Sequence, residues 1–283
     1  MKLSFTTLGC MDWNLQTIVA KAVEYGYQGV DFRGYLNELN LTKFPEFTTD
    51  AAATKKLFDD AGIAVSCISA SAHLTALGDA KTAALAEVKA YCEIAAKLGA
   101  GYIRVFGGGL NGRPYTDALP EVAEFLHTIS GYAVEFGVEI VVETHDDWVD
   151  TKKLIHAFKY AGFPKAVSIL WDVNHPYRMA SEAPADTYAR IGKYIKYTHW
   201  KDSDVLLQKN RFTGEIQEKS IHTLPGFGTL PLEEFYALLK RGGYDGWYTL
   251  EWEKKWHPEM ERAEIAFPKY VEVMRKIEAA SAD

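Results

Sequence analysis

One junction recurs along the chain and limits its fold more than any other feature. An amphipathic segment ends at a glycine, and a short apolar run begins at once. It reads VEYGYQGVDF around Gly26, DDAGIAVSCI around Gly62, AKLGAGYIRVF around Gly99 and EFGVEIVVE around Gly137. It returns as KYAGFPKAVSILWD around Gly162, RIGKYIKYTHW around Gly192 and RGGYDGWYTLE around Gly243. Glycine just past a helix accepts the left-handed backbone that caps the last carbonyls. The run behind it is rich in Val, Ile, Tyr and Phe, as a strand should be. These junctions, with an opening strand from Leu3 to Leu8, predict eight strands alternating with helices. Helical crossovers imply parallel pairing. Eight such units without a change of composition predict a (β/α)8 TIM barrel, one domain over residues 1–283. An open doubly wound sheet is the alternative, weakened by the absence of GxGxxG after the first strand. A long loop is expected from Asp202 to Pro231, between the seventh strand and its helix.

Composition narrows the function. The net charge of −7 argues against a nucleic-acid partner, because phosphate backbones want a cationic surface. No stretch approaches about 18 uninterrupted apolar residues, so no membrane span is expected. The start, MKLSFTTLGC, has no sustained apolar run after Lys2, so no signal peptide is expected and the cytoplasm is the expected location. Cys10, Cys67 and Cys92 are odd in number and widely spaced, which predicts buried thiols rather than a disulfide framework.

In a barrel of this kind chemistry sits where strands end. Inward residues alternate along a strand. Val141 and Glu143 then share the inner face of the fifth strand, and Ser168, Leu170 and Asp172 that of the sixth. Tyr197 and His199 share the seventh, and Trp247, Thr249 and Glu251 the eighth. Trp171, Trp200 and Trp252 fall on the outer face, under the helices. Four consecutive strands therefore finish in Glu143, Asp172, His199 and Glu251. Three carboxylates and an imidazole suit one hard or borderline divalent ion. Without a cation the carboxylates would repel one another.

These residues carry a resemblance. The chain resembles the sugar phosphate isomerase/epimerase family of xylose isomerase-like barrels over nearly its whole length. That family includes ketose 3-epimerases, hydroxypyruvate isomerase and inosose dehydratase. The most specific segments are ETHDD from Glu143, DVNH from Asp172, THWKD from Thr198 and GYDGWYTLEWE from Gly243. The resemblance implies that Glu143, Asp172, His199 and Glu251 hold one divalent ion, Mn2+ first, with Mg2+, Co2+ or Zn2+ as alternatives. It implies an isomerase or epimerase working through an enediolate on a carbohydrate-like small molecule, with Glu143 and Glu251 as acid and base. A lyase on the same scaffold, acting on a keto-inositol, keto-glycoside or keto acid, is the alternative. An apurinic-site endonuclease relative would need a multi-zinc cluster with many more histidines than the eight present. His175, the histidine of the D-x-x-H motif, is expected to touch substrate or order the site, and His73 is expected to line the pocket. The chain departs from many relatives at Gly226-Phe227-Gly228, where they carry Gly-Glu-Gly. A homo-oligomer is compatible with the family.

Further candidates follow from position. Lys201 shares the parity of His199 and could bind a carboxylate or neutralise an enolate; a solvated lysine is the alternative. Arg178 and Arg104 are candidates of the same sort, and His145 lies two residues past Glu143. Trp13, Trp148 and Trp256 lie past the first, fifth and eighth strands, where aromatic faces can pack on a sugar ring or merely seal the loops. Gly107-Gly108-Gly109 could offer N–H groups to an anion but more often makes a turn. The tryptophans and the acidic charge favour an unphosphorylated polyol over a sugar phosphate.

Overall fold

A computed structural model describes residues 1–209 and 214–281. Eight strands close into one parallel barrel: β1 (Lys2–Thr6), β2 (Gly29–Phe32), β3 (Ala64–His73), β4 (Tyr102–Phe106), β5 (Glu139–Glu143), β6 (Val167–Asp172), β7 (Ile195–Trp200) and β10 (Trp247–Leu250). Around it run α1 (Leu15–Tyr25), α2 (Ala51–Asp60), α3 (Gly78–Leu98), α4 (Tyr115–Phe136), α5 (Thr151–Tyr160), α6 (Asn174–Met179), α7 (Pro184–Ile191), α8 (Leu232–Arg241) and α9 (Ala263–Ala280). The eight-stranded (β/α)8 architecture expected from the glycine junctions is present. Strand β10 pairs with both β7 and β1, which closes the ring.

Six of the seven junction glycines take positive φ, from 68° at Gly137 to 83° at Gly26. Gly192 is the exception. It has φ −49° and opens a 3-10 turn. It is small for a packing reason: an added Cβ would lie 2.9 Å from the Tyr188 ring. A second correction concerns the stretch from Asp202 to Pro231. It is not a structureless loop. Strands β8 (Asp202–Lys209) and β9 (Ile216–Thr223) pair antiparallel as a hairpin standing on the end of β7. Residues 210–213 of that stretch lie outside the described set.

Two cores result from strand alternation. The larger lies between strands and helices, where Trp171, Trp200 and Trp252 are buried as expected. Trp171 meets Phe235 of α8 edge-on at 5.4 Å. Truncating such a side chain to alanine costs about 3–5 kcal/mol. The smaller core fills the barrel with Cys67, Val141, Leu170 and Tyr197. The Tyr197 hydroxyl is satisfied there by Ser66 at 2.8 Å. This plug is the floor beneath the strand ends. All three cysteines are buried and free.

Candidate metal centre at the mouth of the barrel

The inward face of each strand delivers one polar side chain just above the apolar floor. Glu143 ends β5, Asp172 ends β6, His199 lies near the end of β7, and Glu251 follows β10. One ligand atom from each lies within 4.8 Å of all the others, and all four residues are buried. The sequence-predicted ligands are thus brought together. His199 pairs in register with Asp172 on one side and Thr249 on the other.

The imidazole is held from behind. His199 Nε2 lies 3.2 Å from Asp31 Oδ2, and Asp31 Oδ1 accepts from the Ser69 hydroxyl at 2.8 Å. That leaves Nδ1 facing the cluster, 3.2 Å from Glu143 Oε1 and 3.4 Å from Glu251 Oε1. A carboxylate behind a ligating histidine fixes its tautomer and raises its basicity. Asp172 is fixed by its own turn. Its Oδ1 accepts from the backbone N–H of Asn174 at 2.8 Å and of His175 at 3.1 Å. Its Oδ2 is left for the cluster.

Two side-chain cations enter the same space. Lys201 Nζ lies 2.6 Å from Glu251 Oε2, 2.5 Å from Glu253 Oε1 and 3.0 Å from Asp172 Oδ2. It is buried, so the alternative of a solvated lysine is overturned. Arg104 Nε lies 3.3 Å from Glu143 Oε2, and its Nη1 donates to the Ala70 carbonyl at 3.1 Å. Burial and Glu251 push the Glu143 carboxyl up, but Arg104 and His199 outweigh them and hold it at about 2. Burial likewise raises the Glu251 carboxyl, and Lys201, His199 and Arg104 reverse that, holding it well below the usual range. For His199 burial disfavours the imidazolium, yet Glu251 and Glu143 carry it up to about 10.

The donor set fits a divalent cation. Glu143 Oε2 and Asp172 Oδ2 are buried within ion-pairing distance of Arg104 and Lys201, yet neither receives a hydrogen bond. Buried carboxylate oxygens left this way are costly unless a cation completes them.

Around the centre the other candidates separate. His175 is buried at its edge. Its Nδ1 is 3.0 Å from the Thr144 carbonyl, which assigns the proton to Nδ1 and leaves Nε2 as an acceptor. His145 packs at 4.9 Å against the His175 ring and at 4.6 Å against Phe106. His73 meets Phe106 edge-on at 5.4 Å and lies on the exposed side of the mouth.

Three side chains expected to touch substrate have partners within the protein. Arg178 is engaged elsewhere: it donates to Ser203 Oγ at 3.0 Å, to the Ser203 carbonyl at 2.8 Å and to Thr229 Oγ1 at 2.6 Å, clamping the root of the hairpin. Trp148 is fully buried, with its indole N–H on the Gly108 carbonyl at 2.9 Å. An added Cβ on Gly107 would fall 2.2 Å from that ring. The triple glycine therefore admits Trp148. Trp13 is buried against α9, 5.8 Å from Phe267. Only Trp256 of the three keeps an exposed face. Phe227 is exposed, while the N–H groups of Gly226 and Gly228 each donate to Asp202 at 2.9 Å.

Sequence reasoning missed Asp31, Arg33 and Glu253. Asp31 carried a legible signal, an acid inside the apolar run GVDF. Glu253 also belongs to a half-buried set with His222 and His257, whose Nε2 atoms each lie 4.0 Å from its carboxylate.

Fold and donor set together define a (β/α)8 barrel with a candidate divalent-metal centre at the C-terminal ends of its strands. The chain belongs to the xylose isomerase-like TIM barrel family, which it matches over residues 19–276. Among curated proteins it is similar to an inosose dehydratase of Bacillus anthracis, 28% identical over 140 residues, covering 47% of each chain. The chain thus matches about half the length of such relatives. Solved structures share the fold. The probable 3-DHS dehydratase AsbF of Bacillus anthracis superposes with a TM-score of 0.75 at 17% identity, covering 97% of this chain and 99% of that one. D-psicose 3-epimerase of Clostridium cellulolyticum H10 gives 0.75 at 13%, covering 99% of both. The IOLI protein with a bound zinc atom gives 0.76 at 17%, again covering 99% of both. Among the described residues no helix is long and apolar enough to cross a membrane.

Proposed function

We propose that the protein is a divalent-metal-dependent isomerase or epimerase of a sugar- or polyol-derived carbonyl compound, with Glu143 and Glu251 as acid and base. The observation that carries this reading is the convergence of both glutamates on one imidazole nitrogen, at 3.2 and 3.4 Å. Glu143, Asp172, His199 and Glu251 would hold the ion, and the set suits Mn2+ as well as Mg2+, Co2+ or Zn2+. When bound, the ion draws electron density from a substrate carbonyl and acidifies the neighbouring C–H.

The remaining work falls to this chain's side chains. Arg104 keeps Glu143 ionised and able to accept a proton. Lys201, 2.6 Å from Glu251, keeps that carboxylate charged in the resting site, and whichever glutamate takes the substrate proton then becomes the acid. His175 Nε2 accepts from Lys201 Nζ at 3.4 Å, so the imidazole helps orient that ammonium beside Glu251. Proton return to the opposite face inverts the carbon, and return to the adjacent carbon moves the carbonyl.

A dehydratase reading is favoured by one observation, the buried Lys201 ammonium beside Glu251, which can give a proton to a departing hydroxyl. The similarity to inosose dehydratases supports the same reading. The test is a panel of ketoses, keto-inositols, keto-glycosides and hydroxylated keto acids incubated in deuterated water with Mn2+ and followed by NMR. Deuterium incorporation with a rearranged sugar supports the first reading, and an unsaturated product the second. If metal-loaded protein gives neither, the proton-transfer reading falls.

A further inference from the structure

Among the described residues, Arg33 is the one buried cation that the proposed chemistry leaves unused. It follows Phe32 at the end of β2 and shares the parity of Asp31, whose carboxylate reaches His199 inside the barrel. Its side chain therefore leaves the strand toward the mouth, one layer above Asp31. It is 6% exposed. Its backbone N–H donates to Thr7 Oγ1 at 3.0 Å, which fixes the main chain. The guanidinium itself has no hydrogen bond or ion pair among the described residues, and its buried Nη1 is without a partner.

What it does touch is the wall of the site. Arg33 Cζ lies 5.8 Å from the Phe106 ring, against which Arg104 packs at 3.8 Å. The same ring borders His73 and His145. Two guanidinium groups thus share one aromatic wall at the edge of the metal-competent cluster. Arg104 is occupied by Glu143 and Ala70, and Arg33 is not. Burial and then Arg104 push the Arg33 guanidinium down to about 10, the direction expected of a cation lacking a counter-ion. A buried charge is tolerated when something pairs it. Glu251 and Glu87 act on it only from beyond ion-pairing distance, and among the described residues no carboxylate closes a salt bridge with it.

We infer that Arg33 receives an anionic carboxylate carried by the substrate, held beside Phe106 while the carbonyl end lies at Glu143, Asp172, His199 and Glu251. This inference rests on the proposed reading of that centre and narrows its substrate class from neutral polyols to hydroxylated carboxylic acids. A planar guanidinium fork matches a carboxylate with two parallel N–H donors. A phosphate ester asks for more donors than one guanidinium, and the Trp148 ring fills the space over Gly107 in the triple glycine. Loss of Trp13 and Trp148 as open aromatic faces removes the main argument for an uncharged sugar.

The test uses full-length metal-loaded protein and two probe pairs that differ in charge: quinate against its methyl ester, and inositol 1-phosphate against myo-inositol. Calorimetry gives the affinity ratio within each pair for wild type, Arg33→Gln and Arg33→Lys. Quinate is expected to bind about tenfold tighter than its ester, the ratio to fall to within about twofold in Arg33→Gln, and Arg33→Lys to recover part of it. Metal content should be unchanged in both variants. Because the Arg33 guanidinium makes no hydrogen bond or ion pair among the described residues, the Tm of Arg33→Gln should equal or exceed that of wild type; a clear fall would assign it a structural role and overturn the proposal. It is also overturned if wild type does not prefer quinate to the ester, if Arg33→Gln keeps the preference, or if the phosphate pair shows the larger ratio. The binding ratios need no turnover. Failure of the anion site is therefore distinct from failure of the proton-transfer reading, which shows as missing deuterium exchange.

Discussion

Asp31 should control metal affinity without touching the metal. Its Oδ2 is 3.2 Å from His199 Nε2, both groups are fully buried, and Ser69 orients the other oxygen. Asp31→Asn keeps the volume and removes the charge that orients and enriches the imidazole. Loss of such a partner typically weakens metal binding by about 10–100-fold, or about 1.4–2.7 kcal/mol. Asp31→Asn should fall at the lower end. Asp31→Ala, which also strips Ser69 of its acceptor, should fall at the upper end. Competition against a fluorescent chelator at pH 7 measures this, with circular dichroism to check the fold. A proton signature accompanies it. In chelator-treated protein His199 sits at about 10, so it is an imidazolium at neutral pH. Ligation needs Nδ1 deprotonated, so binding at pH 7 should expel about one proton, seen as buffer-dependent calorimetric heats. The release should fade as pH passes 10 and should shift to lower pH in Asp31→Asn. The raised value also fixes a stability sign. The contribution of His199 is complete below its ordinary 6.5 and is lost as pH rises through about 10. Affinity in Asp31→Asn within about twofold of wild type, or no proton release at pH 7, would refute the reasoning.

Three further outcomes are expected. Wild type should retain about one tightly held divalent ion per chain by elemental analysis, and Asp172→Ala or His199→Ala should abolish it with the fold intact; undiminished metal in both would refute the ligand assignment. Glu143→Gln and Glu251→Gln should each lose about two orders of magnitude or more in turnover while still binding substrate, and only one should still exchange the substrate α-proton in deuterated water. Lys201→Met should destabilise chelator-treated protein by about 3–5 kcal/mol in urea unfolding, because it leaves Asp172, Glu251 and Glu253 buried without their cation, and added Mn2+ should restore part of the loss.

The contrast between His199 and Arg178 explains what the sequence could and could not disclose. Strand parity is local, a property of the backbone alone, so the inward set Val141, Glu143, Leu170, Asp172, Tyr197 and His199 was readable from alternation. Glycine stops are equally local, which is why the barrel could be counted before it was seen. Gly192 shows the limit: its small size answers Tyr188, a neighbour across the fold, and not its own φ. The partners of Arg178, Trp13 and Trp148 show the same limit. Each lies near the expected position, but what it touches depends on Ser203, Phe267 and Gly108, contacts that no spacing rule encodes. Asp31 and Arg33 were missed although their parity was as legible as that of Glu143. Metal-competent strand ends mark the second half of the barrel, whereas the first half supplies the supporting groups. The division has a physical basis. The β5, β6, β7 and β10 ends form one contiguous arc of donors, while β2, on the other side of the ring, supplies Asp31 and leads into Arg33, and β4, next to β5, supplies Arg104. On the reading proposed for Arg33, donors on one side of the ring and a guanidinium on the other would suit a substrate with a chelating carbonyl at one end and a negative charge at the other, and the quinate and phosphate pairs decide whether that polarity is used.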